Sequence, residues 1–265
     1  MKPKHDRSTT RQTMQTADKA LSILQLYNVD RQWLGVTDIS TALFLNKTTV
    51  HHLLGSLIAS GLIEQSEETR RYRLGLGVVK LAGIKLAQLD LVKVATPTIK
   101  ALMQETGETV VLSVLYEWQT LYLAKVDSPH PVRVASYVGG RGPLHCSADG
   151  KVLLAFQSEA VRDEYLSRPL HPYTENTIVN PGRMKRELQQ VRKRGYAIDS
   201  QEYISHLTAI AAAVRAGSGD VVATIGIVVP TTRMSEAQQQ RVLSSVVRSA
   251  NELSAHMGFS AAPIS

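Results

Sequence analysis

Residues 36–65, VTDISTALFLNKTTVHHLLGSLIASGLIEQ, decide the fold. Within Asp38–Leu43 the apolar side chains Ile39, Ala42 and Leu43 stand at i, i+3 and i+4, the spacing of a short helix with one buried face, and Thr37 is its expected N-cap. After Phe44-Leu45-Asn46 a second helix is expected, capped by Asn46, with Val50, Leu53, Leu54, Leu57 and Ile58 repeating on one side. Two short helices across so tight a turn read as helix-turn-helix. Rotating by 100° per residue puts Thr48, His52, Gly55 and Ala59 opposite the apolar stripe, flanked by Thr49 and Ser56, with His51 at the edge of the buried side. That outer face is small, polar and free of acid. A solvated surface helix normally carries Glu and Lys, whereas a helix entering the major groove needs short donors and acceptors and no carboxylate near phosphate.

Gly61 stops the second helix, and Leu62–Gln65 and Arg71–Leu74 read as two strands joined by Ser66-Glu-Glu-Thr-Arg70, a β-wing. Upstream, Ala17, Ala20, Leu21 and Leu24 mark the buried stripe of a first helix capped by Thr16, which completes a winged unit over residues 15–75. Residues 1–14 carry Lys2, Lys4, Arg7 and Arg11 without periodicity and are expected to form a basic disordered arm. Downstream, GVVKLAGIKLAQL (77–89) is apolar around most of a helix, which suits a linker helix over 76–90 that either packs on the downstream domain or, more economically, pairs with its copy in a second chain. Half-site recognition on DNA usually takes two winged domains.

From residue 91 to 259 the pattern changes. A helix is expected from Thr96-Pro97 to Thr106, with Pro at its first position and Gly107 past its end. Thr109–Tyr116 and Thr120–Val126 are β-branched and aromatic, joined as a hairpin by Glu117-Trp-Gln119, and Val132–Tyr137 is expected to add a third strand. After the turn at Gly139–Gly142, helices are expected over 148–156, 159–166 and 183–194. Strands follow over 196–198, 207–214 and 221–229, and a last helix capped by Ser235 runs over 236–257, before a tail at 260–265. Paired strands interrupted by helices give an α+β domain with a largely antiparallel sheet.

The chain of 265 residues carries a formal net charge of +7, which suits a polyanionic partner. One cysteine, Cys146, leaves no internal disulfide and no Cys-rich zinc site, and no metal-ligand spacing accompanies the histidines. Without a signal peptide or a membrane-spanning run, a soluble cytoplasmic, nucleoid-associated protein is expected. His145-Cys146 beside Gly140 and Gly142 raises the question of a nucleophile, but adjacent residues on an extended segment face opposite ways and form no dyad, so no catalytic residue is assigned. Lys47, Thr48, Thr49, His52 and Ser56, with Arg70 and Arg71 at the wing, are the candidate DNA contacts.

LNKTTVHHLL (45–54), YRLG (72–75), PLHCSADGKVLLAF (143–156), RKRGYAIDSQEY (192–203) and IAAAV (210–214) resemble the IclR-type transcriptional regulators. The resemblance implies an N-terminal winged helix-turn-helix on operator DNA, a linker helix for dimers that often pair into tetramers, and a GAF-like C-terminal domain binding a small organic effector. It implies repression of a catabolic operon and no cofactor. Carried over by position, the effector site comprises Leu144, Ala148, Asp149, Asp199, Leu207, Ala209, Gly226 and Val228. Here the chain departs from the family, with Ala209 and Ala213 where Cys and Pro are usual, and Gly and Val at 226 and 228 where hydroxyls are often found. With most polar hooks gone, the expected effector is larger or less polar than a two- or three-carbon keto acid. The alternative is a ligand-independent architectural DNA-binding protein.

Overall fold

The computed structural model describes residues 7–131 and 136–260, with side chains from residue 16 onward, and divides into two compact units, 1–88 and 89–265. In the first, helices α1 (Arg7–Leu24), α2 (Val36–Leu43) and α3 (Lys47–Ala59) are followed by strands β1 (Ile63–Gln65) and β2 (Tyr72–Leu74) and helix α4 (Leu76–Ala87). Ile23, Leu34, Ile39, Val50, Leu53, Leu54, Leu57, Ile63 and Tyr72 make one core. Leu34 adds a bridge to Tyr72 at the side of the hairpin, with backbone hydrogen bonds of 2.8 and 2.9 Å. This is the expected helix-turn-helix with its wing.

Several local expectations are corrected. The first helix begins at Arg7, so Thr16 lies inside it, and helix occupies residues 7–14 of the expected disordered arm, while residues 1–6 lie outside the described residues. No Gly or Pro interrupts 7–15, and extending a packed helix costs far less than nucleating one. The cap of α2 is Gly35, not Thr37; its N–H donates to Asp38 Oδ2 at 2.8 Å, and Asp38 stands three residues into the helix. Leu21, Ala42, Ile58 and His51 are exposed rather than on the buried side, because a single small core takes only a narrow stripe from each helix. Gly75 and Gly77 explain the YRLGLG sequence: a Cβ at either would stand 2.4 or 2.6 Å from the Gly61 carbonyl oxygen.

The second unit contains α5 (Asp90–Thr106), the hairpin β3 (Thr109–Tyr116) and β4 (Gln119–Val126), β5 (Arg141–Pro143), and helices α6 (Ala148–Ala155), α7 (Glu159–Leu166) and α8 (Pro181–Arg194). Strands β6 (Tyr196–Ser200), β7 (Leu207–Arg215) and β8 (Val221–Pro230) and helix α9 (Glu236–His256) complete it. The sheet order is β5-β4-β3-β8-β7-β6 and every pairing is antiparallel. Strand periodicity distributes the core: Ile210, Ala212 and Val214 pack with Ile99, Val246 and Leu253 of α5 and α9, while Ala209, Ala211 and Ala213 pack with Val152, Leu188 and Val191 of α6 and α8.

Pro97 is not a helix start; α5 begins at Asp90 and carries Pro97 inside it. The position is exposed, so the carbonyl freed by the missing N–H meets water, and the helix continues to Gly107, whose φ is +71°. The hairpin turn is made by Glu117 and Trp118, both with positive φ. Of the expected third strand, 132–135 lie outside the described residues and Ser136-Tyr137 is not strand; the strand that pairs with β4 is β5, in the glycine-rich segment.

Candidate functional site

Two regions gather the predicted site residues. On α3, the Asn46 side chain accepts from Thr49 N–H at 2.7 Å, which starts the helix and sets its first turn. Lys47, Thr48, His52 and Ser56 are exposed, Thr49 is half-buried, and α3 carries no acid. Ser56 donates back to the His52 carbonyl at 3.3 Å. The wing arginines differ. Arg70 is exposed at the turn with φ +56°, whereas Arg71 donates to Asp38 Oδ2 at 2.6 Å and ties the wing to α2. Gly35 N–H and the Arg71 guanidinium hold the Asp38 carboxyl below its usual range. Arg71 therefore positions the wing, and Arg70 is the wing cation left facing outward.

In the second unit, Ala148, Asp149, Asp199, Leu207, Ala209 and Val228 line one cavity of about 270 Å³. Leu144 and Gly226 do not. Leu144 is fully buried in the core under α6, and Gly226 lies beneath the floor, where an added Cβ would stand 3.0 Å from Asp149 Oδ1 and 3.1 Å from the Ala211 Cβ. Glycine at 226 thus makes room for a buried carboxyl, which is why the hydroxyl expected from the resemblance is missing there. Tyr122, Ser136, Tyr137, Gly140, Arg141, Ser147, Tyr203 and Ile204 complete the lining and were missed. Ser147 and Tyr203 stand inside the quoted motifs and were within reach; Tyr122 and Arg141 arrive through the β4–β5 pairing, which periodicity does not reveal.

Local structure explains how the cavity is held. Ser147 caps α6, accepting from Gly150 N–H at 3.1 Å and donating to the Pro143 carbonyl at 2.6 Å. The next residue but one, Asp149, is 3% exposed and accepts from the Thr224 hydroxyl at 2.8 Å. Burial pushes its carboxyl up to about 6 against that opposing hydrogen bond. Across the cavity Asp199 Oδ1 accepts from Glu202 N–H at 2.6 Å and Tyr203 N–H at 3.3 Å, and burial raises it to about 7. Lys151, buried under the Asp199 loop, donates to the Ile198 carbonyl at 2.6 Å and to Glu202 Oε1 at 2.5 Å.

An acid whose pKa rises on folding binds more protons folded than unfolded, so stability falls as pH climbs from its ordinary value of 3.8 to about 6, and is level above. Asp149→Asn keeps an acceptor for Thr224 and removes the ionisation. It is expected to stabilise the unit by about 3 kcal/mol at pH 8 and by nothing near pH 3.5. Urea unfolding at both pH values checks this; an equal effect at both would mean that folding does not raise the Asp149 carboxyl.

His145 and Cys146 make no nucleophilic pair. His145 Nδ1 lies 3.0 Å from the Tyr165 hydroxyl and Nε2 3.0 Å from the His171 carbonyl oxygen. Cys146 is fully buried, and burial pushes its thiol well above the ordinary range, away from the thiolate form. Among the described residues no cluster of His, Cys, Asp and Glu has the arrangement of a metal site, and no helix is long and apolar enough to cross a membrane.

The family model for the IclR helix-turn-helix domain matches residues 16–67, and that for the bacterial transcriptional regulator IclR C-terminal region matches 84–255. The HTH-type transcriptional regulator KdgR of Escherichia coli is 33% identical over 242 residues, covering 91% of this chain and 92% of the relative. The transcriptional repressor IclR of the same species is 28% identical, covering 92% and 90%. Among solved structures, an IclR homologue from Microbacterium hydrocarbonoxydans complexed with 4-hydroxybenzoate superposes with a TM-score of 0.82 at 27% identity, over 91% of this chain and 98% of that one. The order of winged unit and curled antiparallel domain, matched in sequence nearly end to end, places the chain in the IclR family of bacterial transcriptional regulators, which bind DNA through the first domain and an effector through the second.

Proposed function

We propose that the chain is a cytoplasmic repressor of a catabolic operon that works as a dimer, paired into tetramers, and is tuned by an organic effector in the cavity between Asp149 and Asp199. The single observation that carries the regulatory reading is the pairing of an acid-free α3 face with a cavity walled by Asp149 and Asp199 in the same chain. An architectural DNA-binding protein has no use for a carboxyl kept in a cavity wall at a cost in stability. Dimerisation is supported by α4, where Leu76, Val79, Leu81 and Ile84 are between 50% and 79% exposed. Single chains rarely leave so much aliphatic surface on one helix in water.

The effector reading follows from volume and donors. A cavity of about 270 Å³ holds roughly nine water volumes, which a two- or three-carbon keto acid leaves largely unfilled. Tyr122, Tyr137 and Tyr203 contribute aromatic rings to the lining, and Asp149 and Asp199 contribute carboxyls that burial raises to about 6 and about 7. A hydroxylated ring compound fits that lining, and the relative's 4-hydroxybenzoate supports that size class. Occupancy then shifts operator affinity through residues 76–90, with a coupling of about 1–3 kcal/mol.

The test begins with duplexes selected by the full chain from a random-sequence pool. Thr48→Ala and His52→Ala are each expected to weaken binding by about 1–3 kcal/mol at particular base pairs, whereas Lys47→Ala weakens all sequences alike and lowers the salt slope by about one. Full affinity in all three variants would remove α3 from the interface. Calorimetry in parallel with pyruvate, glyoxylate and 4-hydroxybenzoate tests the cavity. Micromolar binding of either small keto acid would overturn the size argument.

A further inference from the structure

Phe44 sits in the turn between α2 and α3 with φ +53° and ψ +38°, and the residue is 96% exposed. Both features are unfavourable for phenylalanine. The left-handed conformation crowds the Cβ of any residue but glycine, and a large apolar ring gains nothing from standing in water. The backbone itself is fixed by neighbouring groups: the Phe44 and Leu45 N–H groups both reach the Ser40 carbonyl, Leu45 at 3.1 Å, and the Ser40 hydroxyl donates to the Leu45 carbonyl at 2.5 Å. Glycine would satisfy the same turn without strain.

Trp118 provides the contrast. It too is an aromatic residue at positive φ, but its ring is stacked on Tyr165 with centroids 6.2 Å apart and covered by the Arg168 guanidinium at 4.4 Å. Packing inside the unit accounts for it. No described ring or cation covers Phe44. What adjoins it is the start of α3, with Asn46, Lys47 and Thr48 exposed beside it, so the ring borders the surface assigned to the major groove.

We infer that Phe44 is a sequence-reading contact, its ring laid against a thymine methyl group at the edge of the half-site. Apolar side chains discriminate thymine through that methyl, which is the one apolar group in the major groove. The left-handed turn carries the ring outward beside the first turn of α3, and the strain is retained because the ring has its partner only in the complex. This inference rests on the reading that α3 enters the major groove.

The experiment uses the full chain and the duplex that it selects from a random-sequence pool, with each thymine replaced in turn by deoxyuridine, which lacks the methyl. One replacement is expected to weaken the wild-type chain roughly tenfold. Phe44→Gly is expected to weaken binding to the parent duplex by the same factor, to be indifferent to that replacement, and to leave the melting temperature unchanged or raised. Equal loss on replacement for both chains, or full affinity in Phe44→Gly, overturns the inference while leaving α3 in the groove. A lowered melting temperature, or a changed sedimentation coefficient without DNA, makes Phe44 a protein contact and also overturns it. Failure to select any site defeats the reading of α3 as well.

Discussion

Lys151→Ala is expected to destabilise the second unit by about 3–5 kcal/mol, enough to leave much of it unfolded at physiological temperature. The Lys151 side chain is 1% exposed and that of its partner Glu202 10%, so both charges are out of water. Truncation strands a carboxylate that burial already pushes upward and that Lys151 alone holds down by charge. Among the described residues Glu202 Oε2 is buried without a hydrogen-bond partner, so the pair has little spare hydrogen bonding to fall back on. The loss also frees the Ile198 carbonyl, and with it the turn whose N–H groups hold Asp199. Effector binding should therefore fail together with stability. Urea unfolding followed by tryptophan fluorescence reads the unit directly in a Trp33→Phe background, which leaves Trp118 as the only tryptophan. Lys151→Met combined with Glu202→Leu removes both charges and should recover most of the loss, since isosteric apolar replacement of a buried pair is often neutral. A cost under about 1 kcal/mol for Lys151→Ala would show that Glu202 is neutral or wet.

The burial of Lys151 is not legible in the sequence. In PLHCSADGKVLLAF the lysine looks like the solvated side of an amphipathic helix, yet every residue of α6 is buried, because the sheet covers one side and α8 and the 201–206 loop cover the other. Periodicity reports one buried face per helix and is silent on a helix enclosed all round. Leu144 fails for a different reason: it is carried over by motif position, and the packing beneath α6 assigns it to the core. Where one face decides, most of the pattern is legible: Val50, Leu53, Leu54 and Leu57 are buried and Thr48 and His52 exposed, with Ile58 and His51 the departures. Pairing across the sheet was the illegible part. Nothing local in Arg141–Pro143 announces a strand, and its partner in β4 supplies the ladder that makes it one.

Gly150→Ala should disrupt the cavity although Gly150 is not part of its lining. In an open helix this substitution stabilises by about 1 kcal/mol, because alanine loses less backbone entropy. At position 150 the added Cβ would stand 2.4 Å from the Pro143 carbonyl oxygen, 2.6 Å from Leu144 Cα and 2.7 Å from Ser147 Oγ. The first two are backbone atoms, and Pro143 is held in the β5 ladder opposite Gln119, so the overlap is not relieved by a rotamer change. Either α6 withdraws or the Pro143–Ser147 loop does, and the Ser147 hydrogen bonds that start the helix are lost in both cases. Overpacking of this kind costs about 1–3 kcal/mol where side chains give way, and the backbone overlap here puts the expectation at or above the upper end. Asp149 and Lys151, on either side, are displaced with it, so effector affinity should fall at least as far as stability. If Gly150→Ala were as stable as the parent and still bound effector, the close approach of α6 to the Pro143–Ser147 loop would be wrong, and the placement of Asp149 in the cavity wall would be wrong with it.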